Sequence, residues 1–132
     1  MLDKTIPELL KENCLERIPP NKRVWGLKIQ VSTMLISTLD WQFDIPFWQH
    51  ENKKYAITPN QVINDPKRYD DHYNRILQSH LEYPMEIVKN QTNKWEILDG
   101  LHRLVKAKIL GFKKVKVRKI SKTQFKRLLK EL

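Results

Sequence analysis

The stretch WEILDGLHRLVKAKILG, residues 95–111, predicts a buried strand that passes through an Asp-Gly turn directly into a helix opening with His-Arg. The first backbone N–H groups of a helix have no intrahelical partner, and the helix dipole places partial positive charge at the same end. Phosphate and carboxylate groups therefore bind readily at such a helix start. Local chemistry alone leaves two interpretations open, an anion site and an ordinary capped helix.

Four residues of this turn are the candidate phosphate-binding residues: Asp99, Gly100, His102 and Arg103. The Asp99 carboxylate is placed to cap the helix by accepting from the His102 backbone N–H, and Gly100 would let a ligand approach the backbone closely. Arg103 can bind phosphate oxygens as a bidentate fork. His102 can donate to a phosphate or transfer a proton near neutral pH.

Strand and turn signals continue on both sides of this unit. Residues 84–89 and 94–98 predict the two strands of a hairpin, which delivers the chain to the turn. Gly111 predicts the end of the helix, residues 114–120 alternate as a strand, and Ser121 is expected to start a final basic helix.

The first part of the chain predicts shorter elements. A capping box at Thr5–Glu8 predicts a first helix over residues 6–17. Residues 27–39 are rich in β-branched side chains without clean alternation, so strand and buried helix both stay open, with strand favoured near the end. Large apolar residues alternate with polar ones across residues 40–55 until Pro46 interrupts them, which predicts an edge strand whose aromatic side chains pack mainly in the core.

Two Pro-containing signals predict helices in the middle of the chain. Thr58-Pro59 suits the N-cap and first residue of a short helix through Ile63, and Asp65-Pro66 repeats the pattern for a longer helix over residues 67–80. The apolar face expected for the longer helix consists of Tyr69, Tyr73, Ile76 and Leu77. Its polar flanks are expected to hold Asp70, Asp71, His72, Asn74 and Arg75.

Composition limits the classes of protein and partner. A chain of 132 residues with 40% hydrophobic and 30% charged residues suits one compact domain. Its formal net charge of +10 attracts polyanions, so nucleic acid, nucleotide phosphate, an anionic membrane and a generic basic surface all stay open. The single cysteine, Cys14, excludes an internal disulfide and favours a cytoplasmic location. A membrane partner is not expected, because no apolar run is long enough to span a bilayer and no secretory signal is recognisable.

The segment PMEIVKNQTNKWEILDGLHRLVKAKILGFKKVKVRKI, residues 84–120, resembles the core of the ParB/sulfiredoxin superfamily, whose hallmark is a strand followed by a DG-x-HR-type turn that opens a helix. Together with the aromatic segment and the helix before it, the resemblance covers about residues 35–121. It implies an α/β (α+β) fold with a small mixed sheet and flanking helices. The implied division is a helical arm over residues 1–34 and a ParB/sulfiredoxin-like domain over residues 35–132.

The resemblance implies a function in which the turn holds the phosphates of a nucleotide. Members of the superfamily include nucleotide-dependent DNA clamps, nucleases, phosphotransferases acting on a free amino acid, and sulfinic-acid reductases. Two departures narrow this range. Sulfiredoxins have a cysteine in the turn where this chain has Leu101, and only about a dozen residues follow Ser121, too few for the further domains of a partition protein.

The first functional hypothesis is a binding protein. The turn would hold ATP or CTP, with Mg²⁺ as an accompanying ion, and the basic surface would contact DNA or RNA through sequence-independent phosphate contacts. A homodimer is among the expected partners. The expected nucleic-acid contacts are Lys113, Lys114, Lys116, Arg118 and Lys119.

The alternative hypothesis is an enzyme, either a Mg²⁺-dependent phosphotransferase or a nuclease that uses the same phosphate site. Phosphoryl transfer requires a carboxylate near the phosphates to hold the metal or act as base. No spacing in the sequence singles out one carboxylate, so the catalytic residues stay unassigned. The candidates are Asp44, Asp65, Asp70, Asp71 and Glu82, with His72 close in sequence.

Overall fold

The computed structural model describes residues 8–15, 19 and 21–130. In this part of the chain, helices and strands form the small mixed α/β architecture expected from the sequence. The helices are α1 (Glu8–Asn13), α2 (Asn21–Trp25), α3 (Pro59–Asn64), α4 (Asp70–Gln78), α5 (Leu101–Ile109) and α6 (Lys122–Lys130), with two 3₁₀ segments at Ile36–Thr38 and Asp40–Asp44. The strands are β1 (Val31–Leu35), β2 (Trp48–His50), β3 (Lys53–Ile57), β4 (Met85–Lys89), β5 (Trp95–Asp99) and β6 (Lys114–Ile120).

Four of the strands form one sheet in the order β1-β6-β4-β5. The hairpin of β4 and β5 is antiparallel, β6 runs parallel to β4, and β1 is antiparallel to β6. Helix α5 carries the chain from β5 across the sheet to β6, which lies on the far side of β4. Strands β2 and β3 form a separate antiparallel pair.

Two apolar cores lie on opposite faces of this sheet, because side chains alternate along its central strands. Met85 and Ile87 of β4 belong to the larger core, with α3, α4 and α5. Val88 of the same strand belongs to the smaller core, with Val24 of α2 and Phe125 of α6. The start of α5 therefore lies on the face of the sheet that carries the larger core, to which Leu101 and Leu104 belong. No helix among the described residues is long and apolar enough to cross a membrane.

Several local predictions are confirmed. The hairpin of β4 and β5 and the strand β6 lie where the sequence placed them. Thr58 forms a capping box with Gln61 at the start of α3, and Ser121 makes the same pair of hydrogen bonds with Gln124 at the start of α6. Gly111 follows the end of α5 with a φ of +85°.

The edge strand expected over residues 40–55 is confirmed only in part: Asp40–Asp44 is a 3₁₀ helix, and strand begins at Trp48, in the two-stranded pair of β2 and β3. Leu39 and Phe43 are both almost completely buried, so their helical spacing, and not the alternation of large residues, decided the local structure. The helix predicted over residues 67–80 is shorter and begins at Asp70, because the Asp65 carboxylate accepts from the Arg68 backbone N–H in a preceding turn.

The structure describes only part of the N-terminal region for which the sequence makes predictions. The described part of the first helix is Glu8–Asn13, and most of its predicted capping box, Thr5 to Pro7, lies outside the described residues. The domain boundary placed after residue 34 falls inside β1. Val24, which precedes that boundary, packs in the smaller core beside the sheet.

Candidate functional site

The predicted turn is present, and glycine is required at its centre. Gly100 is the N-cap of α5 and has a φ of +115°, which L side chains rarely adopt. A Cβ at this position would lie 2.8 Å from Met85 Cγ. The sequence predicted that a ligand would approach the backbone closely at Gly100. In the structure the Met85 side chain occupies that space.

Asp99 does not cap α5, which corrects the role expected for it. It is the last residue of β5, and no side chain caps the helix at the Gly100 position. The Asp99 carboxylate instead accepts from the indole N–H of Trp25 at 3.0 Å. Asp99 thus ties α2 to the end of the hairpin, and its binding of phosphate stays a prediction.

His102 and Arg103 are adjacent in sequence but point to different surroundings. The Arg103 guanidinium donates to the Pro84 carbonyl at 3.1 Å and lies 5.6 Å from the centre of the Tyr83 ring. The His102 ring stacks on Trp48 with 4.6 Å between ring centres. Successive side chains of a helix project about 100° apart, so this divergence follows from helix geometry. The structure does not bring the two side chains together on one ligand.

His102 belongs to a group of three parallel rings. His72 also stacks on Trp48, at 5.0 Å, and the two imidazole centres are 6.4 Å apart. Trp48 is therefore the ring that both imidazoles share.

Each imidazole of the pair has a buried nitrogen with no hydrogen-bond partner among the described residues: Nδ1 of His72 and Nε2 of His102. The other nitrogen of His72, Nε2, lies 2.7 Å from the Gln49 carbonyl oxygen. A carbonyl only accepts, so Nε2 carries the proton and Nδ1 of the neutral ring is left as an acceptor. Unpartnered buried nitrogens are uncommon in folded proteins and require an explanation, such as a water, an ion or a catalytic role.

These rings line a cavity of about 480 Å³, which we call the histidine pocket. The first turns of α4 and α5 both contribute to its wall, through Asp70 to His72 and through His102. The pocket combines cationic, acidic and aromatic side chains. Its lining residues are Phe47, Trp48, Gln49, His50, Glu51, Asn52, Arg68, Tyr69, Asp70, Asp71, His72, Arg75 and His102.

Burial lowers the pKa of His102 from 6.5 to about 4, and the charge of His72, when that ring is protonated, and the charge of Arg75 act in the same direction. His102 is therefore neutral at neutral pH when the pocket holds no anion. An anion bound beside it would raise this pKa, because an opposite charge favours the protonated form.

We expect the contribution of His102 to the free energy of unfolding, which is the difference between wild type and His102→Phe, to fall as the pH drops from about 6.5 to about 4. The unfolded chain binds a proton at His102 over this range before the folded chain does, so protonation favours unfolding. Discounted for partial exposure, the loss is about 2–3 kcal/mol. Urea denaturation at several pH values measures it. His102→Phe, which keeps a ring on Trp48, should remove this part of the pH dependence, whereas exposed His80→Gln should leave it unchanged.

Several residues of the histidine pocket were not predicted as site residues: Trp48, His50, Arg68 and Arg75. His72 was named only as a neighbour of the candidate carboxylates. His72 was assigned to the polar flank of α4, but it is buried, and Leu77 of the expected apolar face is exposed. Tyr69, His72 and Ile76 follow each other at helical spacing and are all buried. That spacing was the signal in the sequence that could have identified the buried face.

The candidate carboxylates separate into two groups. Asp70 and Asp71 line the histidine pocket, while Asp44, Asp65 and Glu82 do not. Asp44 accepts from the Asn60 side chain at 2.6 Å. No group of three or more His, Cys, Asp or Glu side chains in the described ranges could hold a metal ion.

The residues expected to contact nucleic acid differ in their exposure. Lys113, Lys114 and Lys116 are exposed. Arg118 is buried, pairs with Glu86 at 3.3 Å and donates to the Leu27 carbonyl, so its expected contact with nucleic acid is corrected to a structural role. Lys119 is exposed with its ammonium group 5.6 Å from the centre of the Trp95 ring.

The chain was compared with known proteins. Neither a scan of protein-family models nor a search of curated proteins found a match.

Proposed function

We propose that this chain is a ParB/sulfiredoxin-like protein that binds the phosphates of a nucleotide in the histidine pocket. The observation that carries the proposal is the convergence of two helix starts with two arginines. The first turns of α4 and α5 line the pocket together with Arg68 and Arg75. Backbone N–H groups and dipoles at two helix starts, combined with the permanent charges of the two arginines, favour phosphate. Glu51, Asp70 and Asp71 line the same pocket and oppose it, so Mg²⁺ between these carboxylates and the phosphates is part of the proposal.

The histidine pair supports the same proposal. A neutral imidazole donates one hydrogen bond and accepts another, and the unpartnered nitrogens of His72 and His102 leave such groups unused. Phosphate oxygens only accept, so His102 can donate to one when its Nε2 carries the proton, whereas Nδ1 of His72 can donate only after that ring binds a second proton. A dianion beside the two rings favours their protonated forms. Within the pocket, Arg75 and His102 are the proposed principal contacts, with Arg68 beside them.

The proposed phosphate contacts differ from those predicted in the turn, but they still include the start of α5. His102 is retained from the residues predicted in the turn, while Arg103 is engaged with Pro84 and Tyr83. Binding of ATP or CTP, Mg²⁺ and nucleic acid all belong to the proposal, the last through the exposed lysines Lys113, Lys114 and Lys116. A cytoplasmic location agrees with Cys14, a buried thiol whose pKa burial raises to about 12.

A thermal-shift panel tests the proposal. ATP, CTP and inorganic phosphate, each with and without Mg²⁺, are expected to include a ligand that raises the melting temperature, because it binds only the folded chain. Arg75→Ala should abolish that rise. Arg75 is exposed, so its replacement should change the stability of the free protein by no more than about 0.5 kcal/mol.

Two matched variants locate the site. Lys67→Ala removes an exposed cation next to Arg68 in the turn before α4 that does not line the pocket, so it should leave the shift unchanged. Arg103→Ala distinguishes the two possible sides of α5. Loss of the shift in a folded Arg103→Ala protein, with Arg75→Ala unaffected, would contradict the histidine pocket as the phosphate site. The proposal of nucleotide binding itself would be wrong if no ligand in the panel changed the wild-type melting temperature.

A Mg²⁺-dependent phosphotransferase or nuclease is the second candidate, favoured by Asp70 and Asp71 in the pocket wall. Mg²⁺ is commonly held by one or two carboxylates together with substrate phosphates, so these residues would hold the ion and position the phosphates. The panel can be extended with labelled ATP and Mg²⁺, with and without free serine or DNA. Nucleotide binding without turnover would exclude this enzyme activity and leave the binding function.

A further inference from the structure

The two edges of the four-stranded sheet differ in whether their outward backbone groups have hydrogen-bond partners. Along the β5 edge, side chains from the 3₁₀ helix satisfy the outward backbone groups. Trp41 donates its indole N–H to the Trp95 carbonyl at 3.1 Å. Gln42 accepts from the Ile97 N–H at 2.9 Å and donates to the Trp95 carbonyl at 3.4 Å. These contacts cover the β5 edge against pairing with another chain.

The opposite edge is β1, and its ladder shows which groups face outward. The Ile36 N–H donates to the Lys113 carbonyl at 2.8 Å, which continues the pairing of β1 with β6. Hydrogen-bonded and non-hydrogen-bonded pairs alternate along an antiparallel ladder. Counting back from Ile36, Ser32 and Met34 bond to β6, while the N–H groups of Val31, Thr33 and Leu35 face away from the sheet.

β1 lacks the usual protection of an exposed edge. Its sequence, VSTML, contains no charge and no proline, and its register with β6 has no bulge. No described residue bonds to the outward N–H groups of Val31 and Thr33. Val31 and Leu35 are 47% and 48% exposed, so apolar side chains accompany the open backbone.

The charges beside this edge identify the kind of partner. Lys114 lies opposite Leu35 and Lys116 opposite Thr33 in the register of β1 and β6, and both lysines are exposed. Lys28 and Lys113 are also exposed, and neither strand contains an acidic residue. A second copy of this chain would bring like charges to the edge, whereas an acidic segment would be attracted.

We propose that β1 is a docking edge for an acidic, extended peptide segment of a partner protein, which adds to the sheet as a fifth strand. Main-chain hydrogen bonds to Val31 and Thr33 would provide affinity, as in other cases of strand addition. Apolar side chains at alternate positions would contact Val31 and Leu35, and acidic side chains would approach Lys114 and Lys116. This surface does not depend on the histidine pocket, but Lys114 and Lys116 are also among the proposed nucleic-acid contacts, so nucleic acid and the peptide would compete for this edge.

The test uses a blocked seven-residue peptide with valine and glutamate at alternate positions. Fluorescence anisotropy measures its affinity, and amide chemical shifts of residues 31–35 report where it binds. Thr33→Pro removes an N–H that faces away from β6 and so keeps the internal ladder, which proline tolerates on an edge strand. The affinity of this variant should fall about tenfold or more. Two N-methylated forms of the peptide test the same point on wild-type protein, in case Thr33→Pro does not fold. Methylation of the N–H groups that face β1 should prevent binding, whereas methylation of those on the other edge of the peptide should not.

Charge reversal supplies the second arm. Lys114→Glu/Lys116→Glu should weaken binding of the glutamate peptide and favour a matched lysine peptide. The proposal is overturned by equal affinity of wild type and Thr33→Pro, or by equal binding of acidic and basic peptides to the wild type. It is also overturned if single-stranded DNA, and not the peptide, shifts residues 31–35, or if these residues shift only with protein concentration, as for a second copy.

Discussion

Replacing Arg118 with methionine is expected to lower the free energy of unfolding by about 3–5 kcal/mol, because it leaves a carboxylate buried without its partner. Glu86 is 4% exposed, pairs with Arg118 at 3.3 Å and has a second buried oxygen with no described partner. Arg118 also donates to the Leu27 carbonyl, which connects β6 to the segment after α2. Urea denaturation at pH 7 measures the loss.

The pH dependence of this variant identifies the cause. Burial raises the pKa of Glu86 above 4.5, the charge of Asp99 raises it further, and Arg118 opposes both. Without Arg118 the pKa of Glu86 rises further, so the folded chain binds this proton even more readily than it does in the wild type. Relative to the wild type, the variant should therefore regain stability as the pH falls from 7 toward 4.5.

Two control variants separate this ion pair from a general effect of charge. Lys116→Met removes an exposed cation from the same strand, β6, and should change stability by no more than about 0.5 kcal/mol. Arg118→Met/Glu86→Leu removes both charges and should recover most of the loss. An Arg118→Met protein as stable as Lys116→Met would show that the buried pair has no structural role.

The local structure around α5 was predictable because it depends on nearby residues. The glycine at the turn, the hairpin before it and the glycine after the helix each follow from backbone geometry within a few residues. The alternation in β6 likewise predicts a strand. It does not show that β6 is an interior strand whose second face is covered at Arg118 and Ile120, so the sequence alone predicts Arg118 as a surface contact.

The composition of the site was less predictable because it depends on contacts distant in sequence. His102 meets Trp48 and His72, which come from β2 and α4. Nothing in the spacing of the turn identifies those partners. Histidine counts as a polar residue in a hydrophobic pattern, even where it is buried. The sequence therefore predicts the buried face of α4 at Tyr73, one residue away from His72, where the structure has it.

Gly100→Ala is expected to lower the free energy of unfolding by about 3 kcal/mol, from two additive causes. The first is backbone strain, since alanine rarely adopts a φ of +115°. The second is the contact of the new Cβ with Met85 Cγ at 2.8 Å, which requires the β4 side chain or the start of α5 to move. Because His102 follows two residues later, the movement should also reduce the nucleotide-dependent thermal shift.

Gly111→Ala is the matched control, because Gly111 has a φ of +85° and a Cβ at this position would have no atom within 4 Å beyond its chain neighbours. It should cost only the strain, about 1 kcal/mol. The contact with Met85 can be isolated by measuring Gly100→Ala again in a Met85→Ala background, where its cost should fall by about 1–2 kcal/mol. Equal costs of the two glycine replacements, with no coupling to Met85, would mean that Gly100 is required only for its backbone conformation and that the turn has room for a ligand beside it.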